Sequence, residues 1–344
     1  VTAVLNVPVI EDKLAVRGAF TINKRDGYVK GYDVTTAGFP LTGETYNNRD
    51  ILQGRLKILI QPIEDMQILL SGEVYDSDSK GPGRFLSHFS PALGPAGPAA
   101  ASYDLANLDR ISVTPQLDGI TPGTSNGISR NLYDDPFVST KTESYQVKVK
   151  FDLNDVTNFQ FLNSYRSITS TSVFDLDGTA LFRGNNEFTI DLEQYMSEVQ
   201  LSGSLFGDQL EYVVGGNYLF EQGSDNSQQT AFPGGVPVAP LQRVSNFRSN
   251  IKNSAWGLFT QGSFHITDAL TLTAGIRHSW DVRKNISDNQ IVFDNFAPVP
   301  PTSPSFCLVQ FTPPRTDGSC LLPAKDTYSA WSYTAGLDYK INDD

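Results

Sequence analysis

No stretch of this 344-residue chain approaches the roughly eighteen consecutive apolar residues that a transmembrane helix needs. Helical insertion into a membrane is therefore excluded. Cysteine is nearly absent, with two residues, and histidine is scarce, with three. His88, His265 and His278 have no metal-ligand spacing, so neither a metal nor another cofactor is expected. Basic residues number 26 against 38 acidic ones, a net charge of −12. A nucleic-acid surface needs basic residues to neutralise phosphates, so nucleic acid is excluded as a partner. The opening residue is Val1 rather than an initiator methionine, and Asn342-Asp343-Asp344 reads as a turn. The chain is read as a segment of a longer protein.

What the chain does contain is alternation. In 254–266, Trp256, Leu258, Phe264 and Ile266 share one parity, and Gln261, Ser263 and His265 the other. After Thr267-Asp268-Ala269, Leu270, Leu272, Ala274, Ile276 and Trp280 alternate with Thr271, Thr273, Arg277, Ser279, Asp281 and Arg283. Period-two alternation predicts a hairpin with one apolar and one polar face. The same pattern recurs in strands predicted over 4–8, 14–23, 51–61, 67–75, 144–153, 157–166, 195–205, 210–220 and 331–341. That is about eleven strands, an all-β antiparallel organisation. Hydrophobic content of 39% suits strands that are apolar on one side only.

The connections carry more information than the strand count. Short turns near Asp12, Glu64, Asp155, Gly207 and Asp268 alternate with long loops, read over 24–47, 76–141, 174–191, 222–253 and 284–328. Tight turns at one end and elaborate loops at the other is the polarity of an outer-membrane barrel. A soluble sandwich has no reason to segregate its loops so consistently. The sheet is therefore read as part of a transmembrane β-barrel, with Trp256, Trp280, Trp331, Tyr218 and Phe220 towards lipid or its interface. An odd strand number leaves an open edge, so further strands are expected beyond this segment.

Several stretches resemble the barrel of TonB-dependent outer-membrane receptors. They are Phe20-Thr21-Ile22-Asn23-Lys24-Arg25-Asp26-Gly27-Tyr28, Ser197-Glu198-Val199-Gln200-Leu201-Ser202-Gly203, Tyr212-Val213-Val214-Gly215-Gly216-Asn217-Tyr218, Phe259-Thr260-Gln261 and Leu272-Thr273-Ala274-Gly275-Ile276-Arg277. The resemblance implies that residues 1–344 are part of a 22-stranded barrel whose plug domain and remaining strands are absent here. It implies a bacterial outer-membrane receptor that is not an enzyme. Such a receptor imports a ferric siderophore, cobalamin, haem or an oligosaccharide with energy from a TonB–ExbB–ExbD complex acting on the plug. A passive porin-like channel and a soluble or surface glycan-binding module remain alternatives.

Candidate residues follow. Arg17, Arg55, Lys57, Lys148, Lys150, Arg277, Asp281 and Arg283 have polar-face parity, to line the lumen or meet a plug. Arg84, Phe85, His88 and Phe89 combine cationic, aromatic and imidazole groups in the longest loop, a mixture suited to an anionic or aromatic ligand. Cys307 and Cys320, in a Pro-rich loop, are expected to close it as a disulfide in a non-cytosolic compartment, with two free thiols the alternative. Gly123-Thr124-Ser125-Asn126-Gly127 fits G-x-S-x-G but lacks the strand-to-helix setting of a nucleophile elbow. Ser263 and His265 share a face and are read as ordinary polar lumen residues rather than a catalytic pair.

Overall fold

A computed structural model describes residues 1–32, 41–81, 127–129, 136–175, 184–231, 242–294, 305–307 and 320–341. Eleven long strands form the wall: β1 Thr2–Ile10, β2 Leu14–Arg25, β5 Arg49–Ile63, β6 Met66–Ser79, β8 Phe137–Asn154, β9 Thr157–Asp175, β10 Gly184–Leu205, β11 Leu210–Ala231, β12 Gln242–Thr267, β13 Leu270–Asp294 and β15 Leu321–Tyr339. Each pairs antiparallel with its neighbour in chain order, and the short β14 (Ser305–Cys307) completes a 12-stranded sheet. The short strands β3 (Val29–Tyr32), β4 (Leu41–Tyr46) and β7 (Gly127–Ser129) form a second sheet, in which Tyr46 is fully buried. Among the described residues there is no helix.

Local chemistry closes the tight turns. Asp12, Phe206, Gly207 and Asp208 adopt positive φ, the conformation that lets a short turn follow the right-handed twist of its strands. Thr267 Oγ1 accepts hydrogen bonds from the amides of Ala269 (3.3 Å) and Leu270 (3.1 Å), and Asn154 Oδ1 accepts one from Val156 (3.0 Å). Every hairpin is stitched to the next strand at this end: Gln61 N–H donates to Lys13 O, Asp152 to Asp65, Ser204 to Val156, His265 to Gln209 and Lys340 to Ala269. The ladder thus runs into the turns without a break.

The register sorts side chains into two faces. One ladder row reads Leu56, Gly72, Tyr145, Tyr165, Tyr195, Phe220, Ser254, Val282 and Thr327 across β5 to β15. Its neighbour on the other face reads Arg17, Lys57, Ser71, Gln146, Ser164, Met196, Leu219, Ala255, Asp281 and Tyr328. Rows climb relative to the turns, since Arg17 stands five residues after Asp12 whereas Asp281 stands thirteen after Asp268. That stagger is what tilted barrel strands require.

Leu56, Tyr145, Val199, Val214, Tyr218, Trp256, Leu258, Leu272, Ile276, Trp331 and Leu337 all lie on the first face and are exposed to more than a third of their area. A contiguous apolar surface of this extent marks contact with a membrane. Aromatic rings form a band across it. Tyr145 stacks on Tyr165 (6.4 Å), Tyr165 packs on Tyr195 (4.8 Å), and Trp256 stacks on Trp280 (3.7 Å).

The structure corrects the reading of the loops. Much of 174–191, 222–253 and 284–328 is strand, with β10, β11, β12 and β13 reaching 22, 22, 26 and 25 residues. A membrane needs only about 9–11 residues per strand, so these hairpins continue well beyond it. Above the apolar band both faces turn polar, as in Ser224-Asp225-Asn226-Ser227-Gln228-Gln229, and alternation vanishes although pairing persists. Pairs such as Gln228 Nε2 to Asn246 Oδ1 (3.0 Å) accompany the ladder there.

In lipid vesicles, single-tryptophan variants retaining Trp256, Trp280 or Trp331 are expected to be quenched by brominated acyl chains and shielded from iodide. Equal iodide access to all three in the folded protein contradicts this orientation.

Candidate functional site

All eight lumen candidates fall on the polar face: Arg17 on β2, Arg55 and Lys57 on β5, Lys148 and Lys150 on β8, and Arg277, Asp281 and Arg283 on β13. The ladder brings them together with partners that parity alone does not reveal. One row on this face reads Arg55, Glu73, Ser144, Arg166, Gln194, Glu221, Asn253 on β5 to β12, and Arg283, Asp326 on β13 and β15. Its charges alternate in sign.

The contacts made by residues of that row are short. Glu73 accepts from Arg55 Nη2 (2.6 Å) and Nε (2.9 Å) on one oxygen and from Gln53 Nε2 (2.8 Å) on the other. Glu221 accepts from Asn253 Nδ2 (3.0 Å), and Arg283 pairs with Asp281 on its own strand (2.8 Å). Opposite charges on neighbouring strands attract, and each charge-assisted bond strengthens the cross-strand pair.

Arg277 reaches further. Its Nη2 donates to Asn217 Oδ1 (2.9 Å) two strands away and its Nε to Ser279 Oγ (3.0 Å), while its guanidinium lies 5.8 Å from the Phe259 ring centre. Gly257 on β12 lies between the two partners. A Cβ there would meet Arg277 Nη2 at 2.9 Å and Asn217 Oδ1 at 3.1 Å. Gly215 likewise leaves room for Phe259, whose ring would stand 2.5 Å from an added Cβ. Two glycines on the polar face therefore permit an arginine–asparagine bridge and an inward aromatic. Nothing in the sequence marks this group, since Asn217, Gly257 and Arg277 are far apart along the chain and meet only through the ladder.

The remaining cations differ. Among the described residues Arg17, Lys57, Lys148 and Lys150 take part in no ion pair, and Arg17 faces Lys57 directly. They form a positive sector on β2, β5 and β8. Towards the tight turns, Ser263 Oγ bonds Thr273 Oγ1 (2.9 Å), while His265 Nδ1 bonds Thr271 Oγ1 (2.9 Å) and Nε2 stands 3.5 Å from Glu211. Serine and histidine thus engage different partners. His278 lies on the apolar face between Trp280 and Trp331 (3.7 and 4.2 Å), its Nε2 3.0 Å from Ser329 Oγ. Among the described residues no three His, Cys, Asp or Glu side chains gather as a metal-binding group. The loop candidates Arg84, Phe85, His88 and Phe89 lie outside the described residues, as do residues 123–126 of the G-x-S-x-G stretch.

Cys307 and Cys320 are joined by a disulfide, with Cα atoms 5.2 Å apart. Its place in the sheet is informative. β14 pairs with Gln290–Val292 of β13, and β15 takes up the same edge from Asp288 onwards. β14 and β15 are thus one edge strand interrupted by an insertion, and the disulfide closes the neck of that insertion.

Gly257→Val is expected to lower the stability of the wall by about 1 kcal/mol, because the ends of Arg277 and Asn217 must move apart and their hydrogen bond is lost. The urea midpoint for folding into vesicles reads this. Gly18→Val, at a position with no atom near the added Cβ, serves as the neutral comparison.

Three solved structures illustrate what the wall is similar to. The ferric yersiniabactin uptake receptor FyuA from Yersinia pestis superposes with a TM-score of 0.64 at 12% identity, over 100% of this chain and 42% of that one. The siderophore receptor PiuA from Acinetobacter baumannii gives 0.57 at 14% identity, over 99% and 45%. The ferric-catecholate import receptor Fiu from E. coli K12, in its open form, gives 0.57 at 10%, over 99% and 50%. The chain spans half or less of each of these receptors, and at such identities the likeness is one of fold. No curated protein matches in sequence. The sequence model of the family described as TonB dependent receptor-like, beta-barrel, matches residues 75–344. That match covers most of the chain, from the upper end of β6 through β15, and the chain belongs to this family.

Proposed function

We propose that this chain is wall from an outer-membrane receptor that binds a scarce ligand at its long-loop end and imports it with energy relayed by a TonB–ExbB–ExbD complex. The observation that carries this reading is the two-faced wall. One side is a continuous exposed apolar surface, and the other is polar, charged and ordered by its own ladder. A membrane barrel needs the first, and a lumen that accommodates a plug and a polar ligand needs the second. Family membership supports the coupling to TonB.

Ferric siderophores are the ligand class favoured, since the three structures described above are named for ferric or siderophore ligands. Such complexes are commonly anionic, and the unpaired sector of Arg17, Lys57, Lys148 and Lys150 offers attraction along the inner wall or a docking face for a plug. Arg84, Phe85, His88 and Phe89 are assigned to first contact with ligand.

In a strain depending on the full-length protein, ferric-siderophore uptake is expected to stop when the proton-motive force is collapsed. Uptake that continues identifies a passive channel instead. Replacing Arg17, Lys57, Lys148 and Lys150 together by Gln is expected to slow uptake at least fivefold with surface expression unchanged. Undiminished uptake removes the sector from the transport path.

A further inference from the structure

The apolar face ends in a row of charges, and the row is not balanced. Counting up from the tight turns, the first Lys, Arg, Asp or Glu on the outward face is Glu143 on β8, Glu193 on β10, Lys252 on β12, Lys284 on β13 and Lys325 on β15. The ladder places Glu143, Ser167, Glu193, Gln222 and Lys252 in one row. Lys284 faces Lys252 between the pairs Ile251–Asn285 and Ser254–Val282, and Lys325 faces Lys284.

The acidic half is satisfied locally. Glu143 accepts from Tyr145 Oη (3.2 Å), and Glu193 accepts from Tyr165 Oη (3.2 Å) and Gln222 Nε2 (3.0 Å). Lys252 and Lys284 on adjacent strands are exposed, Lys325 extends the run onto the edge strand β15, and among the described residues none of the three has an ion-pair partner. Lys252 has only the Phe220 ring, 5.5 Å from its Nζ. Like charges directly opposite on neighbouring strands are unfavourable unless an anion lies between them. At this height the inner face holds no such run, because the row there, from Arg55 to Asp326, alternates in sign, and the unpaired cations Arg17, Lys57, Lys148 and Lys150 lie nearer the tight turns.

The height of the row identifies the anion. Lys284 stands fourteen residues above Leu270 on β13. At ~3.4 Å per residue and a tilt of ~40° this is about 35 Å, past the hydrocarbon and within the outer headgroup layer. Trp256 and Trp280 lie just below, where interfacial aromatics belong. Lys252 and Lys284 also line an outward cleft of about 690 Å³ with Gln222, Ser224, Asn250 and Ile286, whose far side holds Asp191 and Glu193. Asp191 accepts from Thr169 Oγ1 (2.8 Å). Ammonium groups beside amides and a hydroxyl, above an apolar wall, fit a phosphorylated sugar that carries acyl chains.

We infer that Lys252, Lys284 and Lys325 form a binding site for the phosphate groups of an outer-leaflet glycolipid. The site rests on the reading of this wall as membrane-embedded. Near a membrane surface each lysine contributes roughly a fivefold gain in affinity for anionic lipid.

The test uses the full-length protein, delipidated in detergent and titrated with diphosphorylated lipid A. The K252Q/K284Q/K325Q triple variant is expected to bind at least tenfold more weakly than wild type. The corresponding triple Lys→Arg variant and an E143Q variant, at a carboxylate outside the cleft, are expected to bind as wild type does. Dephosphorylated lipid A is expected to distinguish wild type from the Gln variant by less than twofold. Equal binding of the diphosphorylated lipid by wild type and the Gln variant overturns the site, as does equal wild-type affinity for the phosphorylated and dephosphorylated lipids. Insertion into vesicles, read as heat-modifiable migration in SDS, separates the two levels. Wild-type protein that inserts but binds without regard to these lysines refutes the site alone, and wild-type protein that fails to insert refutes the membrane reading with it.

Discussion

Where lipid replaces water, no backbone amide or carbonyl can be left without a partner, and each one left bare costs several kcal/mol. That constraint governs this wall. The ladder continues from strand to strand through the tight turns, with amides of each following strand bonded to carbonyls at the preceding turn. Because the ladder is continuous, the register is fixed. A slip of one residue between β12 and β13 would carry Trp280 to the polar face and Arg277 into lipid.

Two kinds of surface follow from that register. On the inner face, charges meet across strands, as Arg55 and Glu73 do, are spanned by a bridge for which glycine leaves room, as Arg277 and Asn217 are over Gly257, or stand unpaired towards the tight turns, as Arg17 and Lys57 do. On the outer face the apolar band excludes charge until its upper border, where acids on β8 and β10 find tyrosine and glutamine partners and lysines on β12, β13 and β15 do not. The same alternation that makes a strand amphipathic thus decides where an unpaired charge can reside. Above the membrane water solvates either face, so the long hairpins no longer need to alternate. They persist through backbone pairing and polar contacts such as Ser249 Oγ to Asn285 Oδ1 (2.7 Å).

This division explains how much was legible. The eleven wall strands and their turns could be read because burial against lipid imposes period two on Trp256 to Phe264 and Leu270 to Trp280. Hairpin ends could not, since 222–231 and 242–253 are polar on both faces and resemble loop in composition. Cations of the polar face were assignable to that face by parity. Their partners Glu73 and Asn217, and the ladder neighbour Asp326 of Arg283, were not, because they are distant in sequence and are brought alongside only by the stagger between strands.

By itself the sequence determined the strand periodicity, the segregation of tight turns from long connections and the face on which each charge falls, all local properties set by solvent on either side of a strand. Only the tertiary structure decided which charges stand side by side: the alternating inner row from Arg55 to Asp326, the bridge over Gly257, the outward lysine triad and the disulfide at the neck of an interrupted edge strand. The physical reason is the stagger of the sheet. Ladder neighbours are set by accumulated shear across tilted strands, a quantity that no single segment of chain contains.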